Sequence, residues 1–427
     1  MSSEAVPKPR LLSHKSFRDL WIGQTISTFG DSVYWLVLLF MAERVSGNAM
    51  TVGLVAICQS IPFILIGPLA GVYVDRVDRR KILVSFELMS AVITALLTLY
   101  AFFVALPAVW VLCLAGFLLS SVNVVFAPAR SAAIPRLVPA NQVGEANSWS
   151  MATYQVVMLI GIGLNAAVLG VIYKIMPEKF FFLAALINTI SFCLSTYFLC
   201  RLPSIPPLRD EIEEAAHPLA KIKSDLIEGF HAIKSDDVIS VALPMSIIIN
   251  LSISGFMLTY IAVNKAWFGG DFGTLAFIEL AFVAVNMVFS LIVGKQNIKR
   301  IGLVYALSTI VLGVFVTFFA WSKTILLFMI FNALCGIAFP YMMLPITTYM
   351  QVAIPDRLRG RVNGTWGMFA SAMQPIGIGI TGFLLERFGL EITFLYMGIG
   401  MALGGAIGLF FRKFRCSQMP RLTDQAT

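Results

Sequence analysis

The sequence predicts an all-α polytopic membrane protein whose twelve transmembrane helices form two six-helix pseudo-repeats. Three observations carry this. Only 13% of the residues are charged and 58% are hydrophobic, against about 25% charged in a soluble domain. Apolar runs of about 20 residues, each enough to cross roughly 30 Å of hydrocarbon as a helix, recur along the whole chain. Two stretches half a chain apart also align without a gap. A soluble chain of 427 residues would split into about two or three domains; here the solvent is a bilayer.

The apolar runs cover 17–43, 51–74, 82–104, 108–128, 148–173 and 178–200. After a polar stretch come 237–263, 272–294, 300–320, 323–349, 363–385 and 391–411. The first follows the charged start KPRLLSHKSFRD and no small-residue cleavage pattern ends it. It reads as a retained helix rather than a signal peptide. The expected plan is a tail over 1–16, a six-helix bundle over 17–200, a linker over 201–236, a second bundle over 237–411 and a tail over 412–427. In the linker, LPSIPP breaks the sixth helix and RDEIEEAAH is acidic. LAKIKSDLIEGFHAIKS then spaces Leu219, Ile222, Leu226, Phe230 and Ile233 as an amphipathic helix does.

Orientation follows from lysine and arginine. With both termini in the cytoplasm, cytoplasmic segments hold 25 of the 31 Lys+Arg. The outer loops hold only Arg44, Lys174, Lys179, Lys265, Lys323 and Arg387. The net charge of +8 is therefore a topology signal for a multi-pass protein of the cytoplasmic (inner) membrane. Its basic loops are suited to anionic lipid heads; a nucleic-acid role would need a soluble basic domain, which the apolar pattern leaves no room for. The six cysteines show neither a disulfide framework nor zinc spacing, and His14, His217 and His231 fall in cytoplasmic segments. No metal site is expected, and the chain has no G-x-x-x-x-G-K-[ST] phosphate loop. The expectation is not an enzyme, with no cofactor.

Residues 139–163 can be laid on 355–379 at a constant offset of 216. Pro139 falls on Pro355, Gly144 on Gly360 and Asn147 on Asn363, and the Ile160–Gly163 tetrapeptide falls on Ile376–Gly379. The offset is close to half the length, so the fifth helix matches the eleventh. Two parallel six-helix halves place a site at their interface near the membrane midplane.

The loop GPLAGVYVDRVDRRK, residues 67–81, sets Gly71, a residue small enough for close helix approach, beside Asp75 and the basic Arg76, Arg79, Arg80 and Lys81. This G-x-x-x-D-R-x-x-R-R-K pattern resembles the loop signature of the major facilitator superfamily, with Asp78 where a glycine is usual. A worn counterpart, Gly294 with Lys299 and Arg300, follows the eighth helix. Within the superfamily, GQTISTFGD, HPLAKIKSDLIEGFHAIKSDD and IPDRLRGRVNGTWG resemble the macrolide-efflux and enterobactin-exporter-like branch. The resemblance implies alternating access driven by an ion gradient, usually protons. Asp75 and its basic neighbours would act as a cytoplasmic gating loop, with Arg357, Arg359 and Arg361 on the matching face. It also implies an arginine within the fourth helix in many drug–proton antiporters. Here Leu119 takes that place and Arg130 falls at the end of the expected span.

An ionisable group inside a membrane helix points to function. Asp31, Glu87 and Glu279 are the candidates for proton coupling or substrate binding. Counted from Leu20, Asp31 lies about 16 Å along its helix at roughly 1.5 Å per residue. Gln24, Ser27, Thr28, Asp31, Tyr34 and Trp35 share one face at helical spacing, and Glu279 lines up with Asn286 and Ser290. Such a polar stripe turns to a cavity or a partner helix, since lipid cannot satisfy it. Desolvation of one carboxylate would let it bind and release a proton, or counter a cationic substrate; the alternative is a buried hydrogen bond between helices. The resembled fold adds Tyr154, Met158, Asn165, Asn250, Met257, Trp366 and Gln374 as cavity candidates.

The function read from this is secondary transport, with proton-coupled efflux of an amphiphilic small molecule, drug-like or siderophore-like, as the favoured form. The alternatives are uptake of a small solute or flipping of a lysolipid on the same fold. The expected partners are membrane lipids and the small-molecule substrate, with no obligatory protein partner and a monomeric state.

Overall fold

The computed structural model describes residues 11–139, 142–207, 218–296 and 298–418. The acidic stretch 209–217 and the outer parts of both tails lie outside the described residues, as do the side chains of Asp75, Arg357 and Arg359. Among the described residues the secondary structure is all helical.

In the first half, α1 (Lys15–Ser46) crosses as one helix and ends at Gly47, whose φ of 67° caps it. The second pass is α2 (Ala49–Leu65) and α3 (Gly67–Arg76), divided at Ile66 with a proline in the first turn of α3. That position suits proline, whose missing N–H is unbonded there anyway. Then come α4 (Arg79–Phe103) and α5 (Val109–Leu137). The fifth pass joins α6 (Val143–Leu164) through a π-helical turn, Asn165–Leu169, to α7 (Gly170–Ile175). The sixth is α8 (Phe180–Leu199).

Helix α9 (Pro218–Ser235) is the predicted linker helix. In the second half the first pass is α10 (Ile239–Ile253) and α11 (Phe256–Trp267), interrupted at Ser254–Gly255. A Cβ on Gly255 would lie 2.3 Å from Thr381, so the break is where the eleventh pass presses in. Next come α12 (Phe272–Gly294), α13 (Ile301–Phe318) and α14 (Ile325–Ala353). Asp356–Phe410 runs as α15 but turns at Gly389, φ 81°, and makes the last two passes. The chain then enters α16 (Arg412–Arg415).

One boundary differs in a way that matters. The fourth helix, expected over 108–128, runs to Leu137 with Pro128 and Pro135 inside it. Neighbouring helices stabilise a proline in a membrane helix. Ala129, Ala133 and Ile134 are buried in an apolar cluster that includes Leu83 and Ala146. Arg130 therefore lies about two turns inside the helix.

The repeat is visible in the packing. A Cβ on Gly161 would run into Ser32 of α1, and one on the matching Gly377 would run into the Leu251 carbonyl of α10. The same glycine thus lets the fifth and eleventh passes approach the first helix of their own halves. One apolar core runs through both halves and includes Phe40, Phe180 and Phe272. A second core, from Leu11 to Ile205, is built of first-half residues alone. The halves are thus fused at the face opposite the termini.

Candidate transport site

Asp31 sits near the middle of α1, about 24 Å from its start at roughly 1.5 Å per residue. It is exposed although Gly30 and Ser32 on either side are buried. Hydrocarbon could not satisfy a carboxylate at that depth, so Asp31 opens onto internal space. The Asn188 amide of α8 faces it. Glu87 of α4 is 3% exposed and is flanked by the Ser195 and Ser27 hydroxyls, with Asp31 and Arg130 in electrostatic range. Arg130 of α5 donates from Nη1 to Gln24 Oε1 at 3.0 Å and has Tyr154 of α6 beside it. Five helices thus bring two carboxylates, one guanidinium and a set of amides and hydroxyls together inside the first half. Gln24, Asp31, Glu87 and Tyr154 were site candidates from sequence; Arg130 was placed at the end of the fourth span and not among them, because that span was cut at Pro128.

The second site is a cavity of about 230 Å³ in the second half. Glu279 and Phe282 of α12, Tyr260 and Met257 of α11 and Cys335 of α14 line it, and Trp35 reaches it from the first half. Tyr260 gives its hydroxyl to Asn332 Oδ1, and Asn332 Nδ2 donates to the Ile278 carbonyl at 2.6 Å. Sequence patterning had singled out Trp35 and Glu279, and the resembled fold Met257, but neither pointed to Tyr260 or Asn332. A lone tyrosine and a lone asparagine carry no spacing signal.

Other candidates point elsewhere. Tyr34 is 3% exposed and packs against Phe181, ring centroids 6.4 Å apart, so it faces α8 while Trp35 turns to the second half. Asn165 is fully buried and its Nδ2 donates to the Ser32 carbonyl at 3.1 Å, tying α1 to the π-helical turn. Asn250 Nδ2 donates to Ser246 O in its own helix at 2.8 Å, and Asn286 accepts from Ser290 at 3.4 Å. Met158 and Trp366 are half-buried and Gln374 is exposed; none of the three lines the Glu279 cavity.

In the loop after α3, Arg79 and Arg80 hold the exit of α8. Arg79 is 3% exposed; its backbone N donates to Ile205 O at 3.0 Å and its Nη1 to Pro206 O at 3.4 Å. Arg80 Nη2 donates to Cys200 O at 2.8 Å. Arg76 and Lys81 are exposed. A Cβ on Gly71 would meet nothing within 4 Å, so the close approach expected there is not made in this arrangement. Arg361 pairs with Glu228 of α9.

The opposite face is sealed between the halves. Phe272 sits 4.7 Å from Phe180 and 5.1 Å from Phe40, ring to ring. Lys265 pairs with Glu43 at 2.5 Å and donates to Gly47 O at 3.0 Å, while Lys174 pairs with Asp271 at 3.4 Å. Beneath them a Cβ on Gly170 would lie 2.8 Å from the Gly273 Cα.

Residues 20–295 and 245–425 match the family model of the Major Facilitator Superfamily. The chain belongs to the major facilitator superfamily. This major facilitator protein is a transporter by family, not an enzyme, and its relatives extend over most of its length. It is 23% identical over 393 residues to macrolide efflux protein A of Streptococcus pyogenes, covering 90% of this chain and 92% of that one. It is 25% identical over 402 residues to the multidrug efflux pump Tap of Mycolicibacterium fortuitum, covering 89% and 90%. It is 25% identical over 395 residues to the staphyloferrin A transporter of Staphylococcus aureus, covering 89% of each. Among solved structures, the nucleoside transporter NupG in a mutant form matches with a TM-score of 0.72 at 12% identity, over 93% of this chain and 100% of that one. A POT family transporter in complex with 5-aminolevulinic acid matches at 0.69 and 13%, over 92% and 95%. The solved-structure likenesses place its fold among multi-pass membrane transporters.

Proposed function

We propose that this protein is a secondary active transporter that exports an amphiphilic small molecule across the cytoplasmic membrane by alternating access, coupled to protons, with both termini in the cytoplasm. The observation that carries this reading is the Asp31 carboxylate, held mid-membrane and open to internal space in electrostatic range of Glu87, which in turn has Arg130 in range. An ionisable group at that depth is costly unless it works. A proton taken up there removes the cost of an enclosed charge, and one Arg130 cannot neutralise two carboxylates at once. Efflux is supported by the names of the macrolide and multidrug relatives. Alternating access is supported by halves that share one apolar core at one face, while at the other a Cβ on Gly71 would meet nothing within 4 Å.

The test is transport in proteoliposomes under an imposed pH gradient. Wild-type protein should move a macrolide or a cationic dye against its gradient while protons run the other way. Asp31→Asn, inserted at wild-type levels, should abolish this gradient-driven flux. Undiminished driven flux in that variant overturns the assignment of Asp31, and absence of flux for a broad compound panel overturns the function.

A further inference from the structure

Among the described residues, Glu279 is the only charged one on the wall of the second-half cavity. Among the described residues its carboxylate has no ion pair and no hydrogen bond. Tyr260 shares the wall and lies in electrostatic range of Glu279, and its proton is already committed to Asn332. Asn332 is in turn held by the Ile278 carbonyl, and neither side chain hydrogen-bonds to Glu279 among the described residues. The rest of the wall is apolar, with rings from Trp35, Phe256, Tyr260, Phe282 and Phe339.

A single unbonded carboxylate enclosed by aromatic rings complements one kind of group. An organic ammonium pairs with the carboxylate, and its remaining surface lies against ring faces by cation–π attraction, worth about 2 kcal/mol or more when desolvated. A carboxylate or phosphate ligand would face Glu279 with like charge and find no cationic side chain on the wall. At about 230 Å³ the cavity is smaller than the roughly 300–1,000 Å³ that holds a drug-sized ligand. It accepts one end of a molecule, and the remainder stays in the space between the halves.

Among the described residues, Trp35 is the only one on the wall supplied by the first half. It stands on α1 one turn beyond Asp31 and is 38% exposed. The cage is complete only while the halves hold their present relation. Any rocking that carries α1 away removes one aromatic wall and opens the ammonium to water.

We infer that this cavity is a subsite for the monovalent ammonium end of an amphiphile, with Glu279 as counter-ion and Trp35 as a wall lent by the other half. This rests on the transport reading above and narrows it to cationic substrates.

The experiment compares benzyltrimethylammonium with its uncharged counterpart, carbon in place of nitrogen, by calorimetric titration of the full chain in nanodiscs. Wild-type protein should bind the cation at least tenfold more tightly than the neutral isostere. Glu279→Gln should lower that ratio to near one, Glu279→Asp should keep most of it, and Trp35→Ala should weaken the cation several-fold while Trp35→Phe restores it. Thermal melting checks that each variant is folded. If Glu279→Gln does not fold, the wild-type ratio and the aspartate variant still decide. Equal wild-type affinity for cation and isostere, tighter binding of phenylacetate, or undiminished cation binding in Glu279→Gln overturns the inference. Driven flux of an uncharged or anionic compound that survives Glu279→Gln sinks the cation subsite and leaves transport standing. Cation binding with no flux of any compound does the reverse.

Discussion

Arg130 brings one positive charge into electrostatic range of Glu87, which also has Asp31 in range. Its Nη1 is anchored on Gln24, so the guanidinium is held in place whether or not Glu87 is charged. Arg130→Ala should remove gradient-driven transport and cost roughly 1–3 kcal/mol of stability, the range for leaving enclosed polar groups without a partner. Most of that cost comes from the uncompensated Glu87 carboxylate and not from a lost contact. Glu87→Gln introduced together with Arg130→Ala should therefore recover part of the melting temperature without recovering transport. Thermal melting of the wild type, both single variants and the double variant in detergent measures the coupling. Strictly additive losses would show that the two side chains do not interact.

At the scale of elements, the loop between α3 and α4 is a clamp on the segment that follows α8. Asp78 accepts from the Arg80 backbone N at 2.8 Å, capping α4. It also accepts from Ile205 N at 3.0 Å and from the Ser204 hydroxyl. Partial burial pushes the Asp78 carboxyl up, but the bonds from Ser204 and from the Ile205, Arg80 and Lys81 N–H groups outweigh it and hold it below its ordinary range. A depressed folded pKa stabilises above the unfolded value of about 3.9, and that stability is lost as pH falls through the folded pKa. Asp78→Ala should thus lower the melting temperature at pH 7 by an amount equivalent to about 1 kcal/mol, as for a lost helix cap. The gap should narrow below about pH 4. A gap independent of pH would show that the charge of Asp78 is not involved.

The same clamp shows what patterning can and cannot carry. The departure from glycine at position 78 is visible in the sequence, but its partner lies 126 residues away in a segment with no period. The twelve passes were legible because a bilayer demands about 20 apolar residues for each. Pro128 was misleading because proline ends helices in water, whereas here neighbouring helices hold it within α5. The polar face of α1 was legible as a stripe. Its split, with Tyr34 turned to α8 and Trp35 to the second half, depends on neighbours that periodicity does not name.

For the whole molecule, the seal at the face opposite the termini is the element that must open if substrate is to leave there. It combines the ring cluster around Phe272 with the Lys265–Glu43 and Lys174–Asp271 pairs. Exposed ion pairs contribute little, typically about 0–1 kcal/mol each; Lys265 is half exposed and Lys174 more so. The rings and the backbone approach of Gly170 to Gly273 therefore hold the seal. A side chain at 170 has backbone as its nearest neighbour, 2.8 Å from its Cβ, and backbone cannot swing aside as the end of a flexible side chain can. Gly170→Val should act as a wedge that disfavours the sealed arrangement. The reporter is Met257→Cys on the cavity wall below the seal, in a chain whose six native cysteines are serine. Without the wedge, a membrane-impermeant thiol reagent should label Cys at 257 only from the face bearing the termini. With it, labelling from the opposite face should rise several-fold, and driven flux should fall because the cycle no longer closes. Labelling from the opposite face that is unchanged by the wedge would mean that the Gly170–Gly273 contact does not hold the seal.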